Sequence, residues 1–259
     1  MHYKYIRKIK TNTFFVHLTR ILLLIGLLGL WEIATSSGLL DPFIASSPSR
    51  IVNTFIDLAK NSNLAMHTWV TLYETLLAFL ISTGIGLALA IILYLIPPIK
   101  RVLEPYLVVL NSLPKIALGP LIIVWMGSGT KTIVTMGVLI CVIITTIGML
   151  NGFCQVENDK IMLMKTMGAN KLKIFSKLIF PQNIPNLISN LKINVGMAWV
   201  GVIMGEYLTS KAGLGYLIVY GGQVFKLDLV MTSIVVLCIL AGLMYGLIAL
   251  LEGYVNKKR

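Results

Sequence analysis

Six stretches of this chain are apolar enough, for long enough, to cross a lipid bilayer. A spanning helix needs about 20 mostly apolar residues, and such stretches run roughly over 18–36, 68–96, 105–126, 132–151, 187–208 and 229–252. Inside lipid every backbone N–H and C=O needs a partner from the chain itself, so runs of this length become helices. The expected fold class is an all-α integral membrane protein of six transmembrane helices, one domain over residues 1–259. Composition agrees, with 57% apolar and 12% charged residues where soluble domains have about 45–50% and about 25%. That balance excludes a disordered chain, a nucleic-acid-binding domain and a disulfide-stapled secreted domain. Cys141, Cys154 and Cys238 are odd in number and lack metal-ligand spacing, so they read as small hydrophobes.

The formal charge of +12 is distributed unevenly. Lys and Arg number five before and at the start of the first span, two in the 97–104 loop, six over 152–192 and three at the C-terminus. The alternate loops hold Arg50 with Lys60, then Lys131, then Lys211 with Lys226, giving 16 against 5. Positive charge accumulates on the cytoplasmic side, so both termini and the 152–192 segment are expected there. The basic stretch Lys4, Arg7, Lys8 and Lys10 before an apolar run resembles a signal peptide. Without an A-x-A cleavage site the run is kept as a helix.

Three local features refine this picture. In the first external loop, Ile51, Val52, Phe55, Ile56 and Ala59 share a helical face, so a short surface helix is expected over Arg50–Lys60. The third span is punctuated by Pro105, Pro114 and Pro120, with Gly119 beside the last. Such breaks serve either packing or a midplane solute site, and both readings stand. Pairs such as Gly148/Gly152, Gly201/Gly205, Gly242/Gly246, Gly84/Ala88 and Gly86/Ala90 permit close helix approach.

Enzymatic constellations are missing. His2, His17 and His67 are scattered near membrane edges with no partner in sequence. The run GSGTKT at 127–132 lacks the adjacent Gly-Lys of a phosphate loop and lies between two apolar helices, so it reads as a tight turn. Any ATP hydrolysis therefore belongs to another chain. The cytoplasmic segment over 152–186 is long and basic, yet carries spaced apolar residues: Leu163, Met164 and Met167, then Leu172, Phe175, Leu178 and Ile179. Gly168 divides it, and Pro181 and Pro185 are expected to end its second half. Two short helices joined at a glycine make a docking surface for a partner.

The stretch GANKLKIFSKLIFP at 168–181 resembles the EAA loop of bacterial ABC importer permeases, which reads E-A-A, three residues, G, nine residues, I-x-L-P. Gly168 and Pro181 match at that spacing, with Leu178 and Phe180 for the Ile and Leu, while Met162, Leu163 and Met164 replace the E-A-A triplet. The stretch LPKIALGPLIIVWMG at 113–127, Gly205–Leu208, Gly213–Leu217 and the opening Trp31 with Pro48 and Ser49 are similar to the nitrate/sulfonate/taurine-type permeases. The resemblance runs from about residue 28 to 252. It implies a type I importer permease in the bacterial cell membrane, working as a homodimer with ABC ATPase subunits and an extracytoplasmic solute-binding protein. It implies no cofactor on this chain, with ATP and Mg on the ATPase. It places ATPase coupling at Met162, Leu163, Met164, Met167, Gly168, Ala169, Asn170, Leu172, Phe175 and Pro181. The solute it implies is a small sulfonate-, taurine- or nitrate-like anion, or a molecule like a thiamine precursor. Relatives of this type often carry a basic residue where this chain has Glu74, a departure that argues against assuming a nitrate- or sulfonate-like anion.

Charges and breaks inside spans mark the candidate solute pathway: Pro114, Lys115, Gly119, Pro120, Trp125 and Glu206. Lys115 either attracts an anionic solute or pairs with an acid, Glu206 being the expected partner. Two other classes compete with the importer reading. A secondary transporter would need an ion relay and inverted repeats, and a membrane scaffold would need no broken helix.

Overall fold

The computed structural model describes residues 2–61 and 63–257, without side-chain detail for 2–14, His17 and Asn256. Lys258 and Arg259, counted above for orientation, lie outside the described residues, as do the side chains of His2 and His17. The described elements are helical throughout: α1 (His2–Ser36), α2 (Pro42–Ala45), α3 (Pro48–Asn61), α4 (Leu64–Leu95), α5 (Pro97–Ser112), a 3-10 turn (Lys115–Leu118), α6 (Gly119–Met126) and α7 (Thr130–Cys154). There follow α8 (Asn158–Thr166), α9 (Lys171–Ile174), a π turn (Phe175–Ile179), α10 (Phe180–Gln182), α11 (Ile184–Thr209), α12 (Leu214–Gln223) and α13 (Leu227–Lys257). Among the described residues five helices are long and apolar enough to cross a membrane, six if α5 and the segment Lys115–Met126 count as one span bent by 87°.

That bend corrects the expectation of one span over 105–126. Pro97 and Pro98 stand at the start of α5, where a missing N–H costs nothing. Pro105 is absorbed inside α5, and the chain breaks at Leu113–Pro114 instead.

The chain forms two compact units, one of residues 1–63 with 220–232, the other of 64–219 with 233–259. In the first unit the Glu32 carboxylate accepts from the Ser49 backbone N–H (3.0 Å) and hydroxyl (2.7 Å) at the start of α3. A negative charge there complements the helix dipole. Arg50 donates through Nη2 (2.6 Å) and Nε (3.0 Å) to Asp228 Oδ2. The surface helix expected over Arg50–Lys60 is present as α3.

In the second unit α7 is the central element, packed against α4 and α11. Of its most apolar window 56% is buried, against 6% for the first span. Apolar surface gains little by leaving lipid for protein, so these helices associate through close packing and polar contacts. Small residues provide the closeness. A Cβ on Gly201 of α11 would lie 2.5 Å from Gly137 Cα of α7, and one on Gly86 of α4 would lie 2.5 Å from Thr145 Cβ. Gly242, Gly246 and Gly84 have nothing within 4 Å of that position, so those small residues are not used in packing among the described residues.

A polar ladder completes the α7–α11 seam. Asn186 Nδ2 donates to Gly148 O (3.1 Å), and Asn194 Nδ2 to Thr145 Oγ1 (2.6 Å). Asn190 fills the space above Gly148 and donates to Asn186 O (2.9 Å). On the other face of α11, Lys192 pairs with Glu252 of α13.

Candidate functional site

Three regions of the second unit carry the residues singled out in the sequence. The first is the segment between α7 and α11. Helix α8 stops at Gly168, whose φ of +80° is the left-handed conformation favoured by glycine. Gly168 N donates to Lys165 O (2.9 Å) and Ala169 N to Met164 O (3.0 Å), the paired bonds of a Schellman stop. Asn170 then opens α9, its side chain accepting from Lys173 N (2.9 Å). One helix is closed and the next capped within three residues, so the joint has a defined angle. Met162, Leu163, Met167 and Leu172 stand exposed around it, 63–78% accessible. Met164 and Ala169 turn inward onto the core.

Phe175 departs from the expectation. Read as part of the docking face, it is buried at 8% exposure, edge-on to Phe153 (5.2 Å) and near Tyr94 (5.8 Å) and Phe180 (6.0 Å). Ile174, Phe175, Leu178 and Ile179 lie on one side of this segment and pack together on the core. Pro181 and Pro185 also do otherwise than expected. Each sits in the first turn of a helix, α10 and α11, and starts it where it was expected to end one.

The second region is the bend of the third span. Pro114 precedes the 3-10 turn, and Lys115 Nζ donates to Asn111 O (3.0 Å). Asn111 belongs to the last turn of α5, whose carbonyls have lost their helical donors, and a cation there also suits the dipole. Lys115 thus caps the helix that Pro114 cuts off. The pairing with Glu206 expected from the sequence is not formed; among the described residues the ion pairs are Arg50–Asp228, Lys160–Glu157 and Lys192–Glu252. Gly119 is buried, and a Cβ there would meet Leu208 Cδ1 at 2.5 Å, so the second arm of the bend rests tightly on α11. Pro120 and Trp125 are exposed on α6, Trp125 at 71%.

The third region lies at the opposite end of the helices from α8. Glu206 is buried at 1% exposure and accepts from Gly215 N (2.6 Å). Its carboxyl faces that of buried Glu74, with the hydroxyls of Thr71 and Thr130 beside the pair. Gly213 N donates to His67 Nδ1 (3.0 Å) and Leu214 N to Thr71 Oγ1 (2.7 Å). Gly213 has φ +112°, and a Cβ on it would overlap the Glu206 carboxyl. The 210–215 loop is thus held by the first turns of α4 and the last turn of α11. His67 and Thr71 went unrecognised in the sequence. A signal was present, because His67, Thr71, Glu74, Ala78 and Ser82 follow one face of α4 at spacings of three and four.

Residues 82–258 match the family described as binding-protein-dependent transport system inner membrane component. The chain belongs to that family. It is 30% identical over 86% of its length, and 90% of the relative's, to a Haemophilus influenzae protein named as an ABC transporter permease. It is 26% identical to a Bacillus subtilis protein named as an aliphatic sulfonates transport permease, covering 90% of this chain and 84% of the other. It is 30% identical to the formylaminopyrimidine transport permease of Halalkalibacterium halodurans, covering 73% and 75%. In fold it is similar to a chain of the inward facing methionine ABC transporter MetNI, with a TM-score of 0.65 over 73% of this chain and 94% of the other, at 20% identity. This is the permease subunit of a binding-protein-dependent ABC importer, an integral protein of the inner membrane with the type I importer fold.

Proposed function

We propose that two copies of this chain form the solute pathway and that each docks a separate ATPase through α8, α9 and the Gly168 joint. The joint carries the reading: two short helices at a defined angle, presenting Met162, Leu163, Met167 and Leu172 outward while Met164 and Ala169 root them in the core. Phe175 and the aromatic cluster lie directly beneath, so a displacement of α8 and α9 passes by packing to α4 and α7. The ATPase states must hold the joint differently, since equal affinity shifts no equilibrium. ATP and Mg reside on that partner, and this chain binds neither. Exposed apolar faces of α5 and α6, with Val102, Tyr106, Val109 and Trp125, suit a second copy and lipid. The positive-charge asymmetry supports cytoplasmic termini.

The reading of the solute rests on the charges that the spans carry. Lys192 of α11 is paired with Glu252, whereas Lys115 donates to the neutral Asn111 O and keeps its charge. Glu74 is buried where relatives of this type often carry a basic residue. This supports a small heteroaromatic solute of the kind a formylaminopyrimidine permease carries over a sulfonate-like anion. The test is a ligand screen of the cognate binding protein followed by uptake in proteoliposomes holding permease and ATPase. ATP-driven uptake of a pyrimidine is expected, with no ATP turnover by the permease alone. Uptake confined to sulfonates would overturn the solute, and hydrolysis by the contaminant-free chain would overturn the division of labour.

A further inference from the structure

A cavity of about 320 Å³ opens beside the coupling segment, between the end of α4, the start of α5 and the inner side of α8 and α9. Three lysines line it, Lys100, Lys165 and Lys171, and no carboxylate does. None of the three takes part in an ion pair among the described residues. Lys100 Nζ donates to Cys154 Sγ (3.3 Å), a weak acceptor that leaves its charge uncompensated. The remaining wall is apolar and includes Tyr94 and Leu95, the final residues of the spanning part of α4. The cavity is thus positive on one side and apolar on the other, at the end of a helix long and apolar enough to cross a membrane.

We propose that this cavity binds the phosphate headgroup of an anionic phospholipid. Its volume is at the low end of ligand sites, which run from about 300 to about 1,000 Å³. That suits a glycerophosphate, with the acyl chains left to lie along α4 and α5. Clusters of basic residues at the end of a span recognise anionic headgroups by charge. An acidic segment of a partner protein fits less well, because the exposed apolar residues Met162, Leu163, Met167 and Leu172 face away from the core. Ile161, Ile174 and Ile179 are the ones turned toward the cavity. A lipid in this place ties the coupling segment to the membrane surface. The inference goes beyond the importer reading and is tested without ATPase or solute.

Cys154 is exposed and lines the cavity, while Cys141 is buried, so Cys238→Ser leaves one accessible thiol as reporter. The full chain carrying Cys238→Ser is placed in nanodiscs of phosphatidylcholine, with or without phosphatidylglycerol, and modified with a neutral maleimide. Phosphatidylglycerol is expected to slow modification of Cys154 about tenfold, and Lys100→Gln/Lys165→Gln/Lys171→Gln to abolish that protection. Millimolar inorganic phosphate in phosphatidylcholine discs should give none. Equal rates in the two lipids would overturn the proposal. So would protection by inorganic phosphate, which marks a free-anion site, or protection only on adding the ATPase, which marks an acidic protein. The comparison of lipids needs no variant at the lysines, so misfolding of the triple variant leaves it decisive.

Discussion

Lys115 and Glu206 show how local geometry settles the role of a charge inside a span. Each could neutralise the other on paper, yet each is used by a backbone group close to it. Lys115 replaces a lost helical donor at Asn111 O, and Glu206 accepts from Gly215 N. In a double-mutant cycle, Lys115→Met should lower stability by about 1 kcal/mol, the value of one such hydrogen bond. The change Glu206→Gln should add independently, with coupling near zero. Thermal unfolding of the detergent-solubilised protein measures both, and a large coupling energy would restore the ion pair. The nature of the Glu206 substitution matters more than its charge. Glu206→Gln keeps an acceptor for Gly215 N and offers a donor to Glu74, so the fold should survive. Glu206→Leu strands a buried N–H and should cost about 1–3 kcal/mol. Limited proteolysis within 210–215 reports the difference as a faster cut in the leucine variant alone.

Among the elements, α7 sets the tolerance of the bundle because α4 and α11 both approach it closely. Gly201→Ala puts a methyl group 2.5 Å from the Gly137 Cα, where backbone cannot yield locally. Overpacking of this kind costs about 1–3 kcal/mol. Gly242→Ala adds the same methyl group where nothing lies within 4 Å, and should be neutral or stabilise by up to about 1 kcal/mol through helix propensity. Resistance of the two variants to denaturation in sodium dodecyl sulfate ranks them, and an equal ranking would contradict the packing described. Both glycines belong to the same G-x-x-x-G pattern, so the pattern itself does not separate them. Spacing reports which residues share a face, while which face meets a neighbour depends on how the helices rotate. The spans were legible for a simpler reason: hydropathy is a sum over a window, insensitive to rotation. Their ends agree closely, as with 68–96 against Leu64–Leu95. The third span departs from the expectation at an 87° bend, where the backbone leaves α geometry, and Phe175 departs from it because apolar spacing alone does not say whether a face meets a partner or the core.

For the whole molecule, the geometry of the Gly168 joint was the most legible part of the candidate site. Its signals are local: a glycine at a helix stop, an asparagine at a helix start, and apolar residues within one turn of each. The 210–215 loop and the cavity beside α8 were not legible, because their residues come from helices far apart in sequence. We propose that the outward face of the joint is where the ATPase docks. It is tested by adding charge to that face without touching the core. Leu163→Asp with Met167→Asp alters two exposed side chains, 63% and 78% accessible, and leaves Met164, Phe175 and the aromatic cluster in place. The affinity of the purified permease for its cognate ATPase is the quantity to measure, with helix content as the control for folding. The double variant should keep its helicity and bind the ATPase at least about a hundredfold more weakly, the loss of two buried apolar anchors. Unchanged affinity in a folded double variant would contradict the claim.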